Sequence, residues 1–100
     1  MTPAMFHILL ALAEGPQHGY AIMQDVLAQT DGAVDLGPGT LYRAIRRLVD
    51  DGLIQATKSD DGRRLPYRIT GAGRKAVRAE AAHLAKSVDW ARSVNVLEER

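Results

Sequence analysis

One hundred residues make a single domain with a modest core, and the absence of cysteine excludes a disulfide framework, a thiolate metal site and a thiol nucleophile. The net charge of +1 conceals a segregation: residues 1–39 carry four acids and no Lys or Arg, residues 40–78 carry ten bases against four acids, and residues 79–100 carry three bases against four acids. A basic middle on an otherwise acidic chain points to a surface that meets a polyanion.

Pro3 to Ala13 has the pattern of a helix, with Met5, Ile8, Leu9 and Leu12 on one stripe and Phe6, Leu10 and Ala13 beside it. Being apolar over most of its circumference, it is expected at the centre of the fold or at a subunit contact. Glu14-Gly15-Pro16 stops it. A second helix is predicted from about Gly19 to Thr30, with Tyr20, Met23 and Leu27 turned inward, and it ends before Asp31-Gly32. Ala33 to Leu36 reads as a short extended piece.

Gly37 to Ile54 holds a helix with a full set of boundary signals. Gly37 suits the N-cap, Pro38 the first turn where its missing N–H is no loss, and Gly52 the stop. On a 3.6-residue wheel Leu41, Ile45 and Leu48 share one side, while Arg43, Arg46 and Arg47 share the other. A helix anchored by one face and offering guanidinium groups by the other is suited to a DNA major groove. The alternative use of these charges is a set of i,i+4 ion pairs, Arg46–Asp50 and Arg47–Asp51.

Ile54 to Ser59 alternates as a strand, Asp60-Asp61-Gly62 is a turn, and Leu65 to Ile69 supplies the return strand. Pro66 lacks a donor and places that return strand at an edge or bulge. Thr70 is a plausible N-cap for a last helix running from Gly71 nearly to the C-terminus. The expected fold is mainly α with a small β-hairpin. It comprises a winged helix-turn-helix over residues 1–70 and a C-terminal dimerisation helix over residues 71–100, within one compact unit.

Val77, Ala81, Leu84, Val88 and Ala91 follow a 4-3-4-3 spacing, with Trp90, Val94 and Leu97 on an adjoining stripe. Roughly 28 residues at ~1.5 Å each give a helix of about 40 Å. Its far end outreaches a body of about 30 Å. A second copy, related by two-fold symmetry, is the simplest cover for these residues, with Met5, Phe6 and Leu9 of the first helix expected in the same contact.

Three motifs carry a family resemblance: Gln17-His18-Gly19-Tyr20-Ala21-Ile22, then Gly37-Pro38-Gly39-Thr40-Leu41-Tyr42 followed by Leu48 and Gly52-Leu53-Ile54, then Tyr67-Arg68-Ile69-Thr70 with Gly73-Arg74. In order and spacing they resemble the PadR family of bacterial transcriptional regulators over about residues 3–80. The chain departs from that pattern in having Gly37 where the family usually has Ser, which weakens the cap by a few tenths of a kcal/mol. Its wing also keeps only Pro66-Tyr67 of a basic-aromatic run. With one C-terminal helix it resembles the short subgroup. The resemblance implies a homodimer on a pseudo-palindromic operator, repression in most cases, and often release by a small aromatic or drug-like compound.

For DNA contact, Arg43 lies nearest the helix start and is the candidate for a base edge; Arg46 and Arg47 are candidates for phosphates. Thr40 with the free N–H groups beside it also suits a phosphate, and Tyr42 lies between core and phosphate roles. Arg63 and Arg64 follow the wing turn, where they suit a minor groove or the backbone. Trp90 is a candidate for the dimer core and for stacking an aromatic effector. His18 is a structural residue at a helix start, and neither it nor His7 and His83 has partners at zinc-ligand spacing, so no metal or cofactor is expected. No nucleophile–base constellation or phosphate-cradling loop suggests an enzyme. No apolar run reaches about 18 residues, and residues 1–7 lack a basic leader, so a cytoplasmic protein with no membrane partner is expected. The rival class is a winged-helix protein–protein assembly module whose basic face meets an acidic partner, and salt-sensitive DNA binding separates the two.

Overall fold

Thr2 opens the first helix, α1 (Pro3–Ala13), by accepting the Met5 N–H on its side-chain oxygen at 3.2 Å. In the computed structural model, which describes residues 1–57 and 66–98, there follow α2 (Gly19–Gln29), α3 (Pro38–Asp50), strand β1 (Ile54–Ala56), strand β2 (Tyr67–Ile69) and α4 (Gly71–Ser93). The expected turn Asp60-Asp61-Gly62, the strand residues Lys58, Ser59 and Leu65, and the wing candidates Arg63 and Arg64 lie outside the described residues.

α1 occupies the centre, as its nearly all-apolar circumference requires. Met5, Ile8, Leu9, Ala11 and Leu12 are buried, and the helix packs against α2, α3, α4 and β2. Ile22 and Val26 of α2, Leu41, Ile45 and Leu48 of α3, Ile54, Ile69 and Val77 close the core around it. At roughly 1.5–3 kcal/mol for each large aliphatic side chain withdrawn from water, this cluster supplies the main force holding α3 in place.

Three helices end by one mechanism. In α3 the Gly52 N–H reaches Val49 O at 3.0 Å and the Leu53 N–H reaches Leu48 O at 2.9 Å, with Gly52 at φ 74°. The same reversed pair of bonds ends α2 at Asp31 (φ 51°) and α4 at Asn95 (φ 61°). Asn95 thus stops the last helix after 23 residues, short of the extent expected from its apolar pattern. Asparagine is among the few side chains that tolerate a left-handed backbone, because its short polar group bonds locally.

Two other expectations are corrected. On α2 the buried face is Gly19, Ile22 and Val26, while Tyr20 and Leu27 are exposed and Met23 is half-buried. Both stripes have i, i+3, i+7 spacing, and the close approach of α3 at Gly19 selects the one that begins with a residue lacking a side chain. The segment Ala33 to Leu36 forms no strand: Leu36 packs into the core and the Val34 N–H bonds Thr30 Oγ1 at 3.0 Å. The additional sheet partner is Gln17, whose N–H donates to Tyr67 O at 3.0 Å and whose carbonyl accepts the Tyr67 N–H at 2.8 Å. β2 therefore lies between β1, with Ile54 opposite Ile69, and Gln17. Pro66 is accommodated just before the strand, using only its carbonyl, which accepts from the Thr57 N–H at 2.8 Å. Among the described residues the sheet has two strands, so β2 is an edge strand as Pro66 suggested, bridged on its outer side at one residue by Gln17.

Thr70 joins the pieces. Its hydroxyl donates to Gly52 O at 2.7 Å and accepts the Gly73 N–H at 3.0 Å, while its own N–H reaches Leu53 O at 3.0 Å. The end of α3 and the start of α4 are thereby fixed to each other. Beyond this joint α4 leaves the body, with residues 81–90 all exposed. The radius of gyration of 15.0 Å exceeds the roughly 13 Å of a spherical chain of this length.

Candidate nucleic-acid interface

α3 presents its two faces as the sequence pattern requires. Leu41, Ile45 and Leu48 are buried, and Thr40, Tyr42, Arg43, Arg46 and Arg47 are exposed. No side chain caps its start, so the N–H groups of Gly39 and Thr40 have no capping partner, and no acid lies in its first turn. Arg43 folds back toward that start and donates to Thr40 Oγ1 at 3.4 Å, a long bond that leaves most of the guanidinium free.

The proposed ion pairs divide. Arg47 Nε meets Asp51 Oδ2 at 3.1 Å with both side chains well exposed, a contact worth well under 1 kcal/mol. Among the described residues no carboxylate stands within ion-pair distance of Arg43 or Arg46. Arg46, and Arg43 apart from its one long bond to Thr40, thus stand on one rigid helix without a carboxylate partner among the described residues.

Tyr42 links this helix to its neighbour. Its ring is 51% exposed, yet its hydroxyl stands so near Gly19 that a Cβ there would come within 2.6 Å of it. α2 and α3 are consequently packed as a close pair at their N-terminal ends. His18, at the N-cap of α2, makes no capping bond with its side chain. Tyr20, absent from the sequence-based site, stands on the outer surface beside this junction. The clue to it was the phase of Ile22 and Val26, whose β-branched side chains pack into the core. On the wing strand the exposed Arg68 lies against the Gln55 side-chain amide.

The residues expected at a subunit contact separate into two groups. Met5, Leu9 and Val77 belong to the protomer's own core, Leu9 with no exposed surface at all, and Phe6 packs half-buried against it. The buried Met5, Leu9 and Val77 are thereby removed from that expectation, whereas Phe6 keeps part of its surface exposed. Ala81, Leu84, Val88, Trp90, Val94 and Leu97 are exposed, Trp90 to 70%, and Ala91 is half-buried. Leu10 of α1 is exposed as well. Among the described residues no His, Asp and Glu group could hold a metal, and no helix is long and apolar enough to cross a membrane.

Residues 8–79 match the family model described as the transcriptional regulator PadR-like family. A 37.1 kDa protein in transposon TN4556 of Streptomyces fradiae is 41% identical over 83 residues, which is 83% of this chain and 23% of that protein. This chain therefore spans about a quarter of the length of that relative. A solved transcriptional regulator from Clostridium thermocellum is similar with a TM-score of 0.80 at 28% identity, over 96% of this chain and 90% of that one. A PadR-like transcription factor from Bacteroides fragilis gives 0.72 at 25% identity, over 90% and 87%. A PadR family regulator from Clostridium difficile shares the fold, with a TM-score of 0.79 at 21% identity over 93% and 98%. With the winged-helix order, the exposed arginine helix and the matched residues in agreement, the chain belongs to the PadR-like family of transcriptional regulators, which are DNA-binding proteins and not enzymes.

Proposed function

We propose that this protein is a cytoplasmic homodimeric repressor that reads a pseudo-palindromic operator with α3. The observation that carries this reading is the pair Arg43 and Arg46, exposed on a buried-backed helix with no carboxylate partner among the described residues. Arg43, nearest the helix start, takes a base edge in the major groove, where a guanidinium matches guanine O6 and N7. Arg46 and Arg47 take phosphates. Arg47 exchanges its weak bond to Asp51 for a charge-assisted one. Thr40, the uncapped N–H groups beside it and Tyr42 take the backbone at the groove edge. Arg63 and Arg64, outside the described residues, are assigned to a minor groove or the backbone.

Dimerisation follows from the exposed part of α4. Ala81, Leu84, Val88 and the half-buried Ala91 form an apolar ridge on α4 outside the protomer core, Trp90 stands on the adjoining face, and Val94 and Leu97 lie past the helix end at Ser93. A two-fold-related copy of the same ridge covers it. Two α3 helices then meet successive major grooves on one side of a duplex, about 34 Å apart. Selection of binding sequences from a random duplex pool tests this. The account predicts inverted half-sites about one helical turn apart; a single asymmetric half-site contradicts it.

The exposed indole of Trp90 also supplies a flat face on which an aromatic effector can stack at the dimer contact. Planar aromatic compounds that release the operator are expected to quench the fluorescence of Trp90, the only tryptophan. Release without any change in emission removes Trp90 from this role.

A further inference from the structure

We propose that Tyr20 and Gln24, on the outer face of α2, form an uncharged phosphate-contacting pair that carries the duplex surface from α3 onto the flanking DNA backbone. The inference rests on the reading of α3 as the DNA-facing helix. A single exposed aromatic is ordinary, and the 62% exposure of Tyr20 would by itself mean little. Three further observations give it a role.

The first is order. Gln24, one turn along, donates its Nε2–H to the Tyr20 hydroxyl oxygen at 3.1 Å. That bond occupies an acceptor site and fixes the oxygen, leaving the phenolic O–H to donate outward. A side chain already held in place loses less entropy on binding.

The second is position. Tyr20 follows Gly19, the residue against which the Tyr42 hydroxyl of α3 is packed. Tyr20 stands about 100° further round α2 from that contact, so the pair lies on the outer flank of the α2–α3 junction. When the second helix of such a motif lies in the major groove, the first crosses the adjacent sugar-phosphate backbone.

The third is charge. The one carboxylate of α2, Asp25, is half-buried, with Oδ2 accepting from Gln17 Nε2 at 3.4 Å. An acid on α2 pointing the same way as Tyr20 would repel a phosphate. The polar groups at the outer face are neutral donors, which hydrogen-bond phosphate oxygens without displacing a counterion.

That last property separates this pair from the arginines. Fluorescence-anisotropy titrations of wild type, Tyr20→Phe and Arg46→Ala, against a selected operator and a scrambled duplex over a series of salt concentrations, supply the test. Tyr20→Phe keeps the ring and removes only the hydroxyl from an exposed site, so the fold is retained. It is expected to weaken both duplexes by about tenfold or more, as for loss of a hydrogen bond to a charged group, with an unchanged salt slope. Arg46→Ala should reduce the slope by about one per protomer. Wild-type affinity for both duplexes in Tyr20→Phe overturns the proposal. So does a loss confined to the operator, which would make Tyr20 a base reader, or a reduced slope. If wild type itself shows no salt-sensitive DNA binding, the reading of α3 fails and takes this one with it.

Discussion

At Gly73 the first turn of α4 runs against the corner between α3 and β1. A Cβ built there would collide with the Leu53 carbonyl oxygen and come within 2.7 Å of Ile69 Cγ1. An alanine in place of glycine within a helix ordinarily stabilises by roughly 0.5–1 kcal/mol. Here the sign reverses, because the obstacle is backbone that itself bonds the Thr70 N–H and cannot swing aside. Gly73→Ala should cost about 1–3 kcal/mol and lower the Tm by about 5 °C or more at fixed protein concentration. Gly71→Ala, where a methyl group meets nothing within 4 Å, should leave the Tm unchanged or slightly raised. A thermal scan in which both variants melt like wild type would contradict the tight joint. Gly19 differs in kind: its close neighbour is the half-exposed Tyr42 side chain, which can move, so a methyl group there disturbs the proposed DNA-contact surface more than the core.

Among the elements, legibility follows how many independent signals each segment carries. α3 was readable in full, because its cap, its proline, its two-faced wheel and its terminating glycine all agree. α1 was readable because a helix apolar over most of its circumference belongs at the centre of the fold or at a subunit contact, and the burial of Met5 and Leu9 decides for the centre. The phase of α2 was misread because Tyr20-Met23-Leu27 and Gly19-Ile22-Val26 are equally good stripes by spacing. The β-branched Ile22 and Val26 favour the second, and the Tyr42–Gly19 approach, a contact between distant residues, decides between them. The bridge from Gln17 to Tyr67 was likewise invisible, since a single pair of backbone bonds leaves no periodicity. The end of α4 was hidden by its apolar pattern, which continues through Val94 and Leu97 while Asn95 turns the backbone left-handed. Of the candidate site, the exposure of Thr40, Tyr42, Arg43, Arg46 and Arg47 was legible from the wheel of α3, while Arg63 and Arg64 lie outside the described residues. The site's extension onto α2 was not legible, for the same reason that the phase of α2 was not.

At the scale of the whole molecule, the Thr70 joint couples α3, the helix proposed to face DNA, to the helix that leaves the body. Whatever fixes the distance and angle between two α4 helices also fixes the spacing of two α3 helices. An apolar contact far from the arginines can therefore govern whether both copies reach successive grooves. By the same route, a ligand wedged at Trp90 alters DNA affinity only to the extent that it binds one spacing better than another. The central claim is that Arg43, presented twice by such a dimer, reads the operator. Its most direct test is the ratio of affinities for the selected operator and a scrambled duplex at one salt concentration, compared between wild type and Arg43→Ala. The account predicts that the variant lowers this ratio by a factor equivalent to about 1–3 kcal/mol for each of two symmetric base contacts, with specificity relaxed at those two positions. An unchanged ratio in a folded, dimeric Arg43→Ala protein would contradict it.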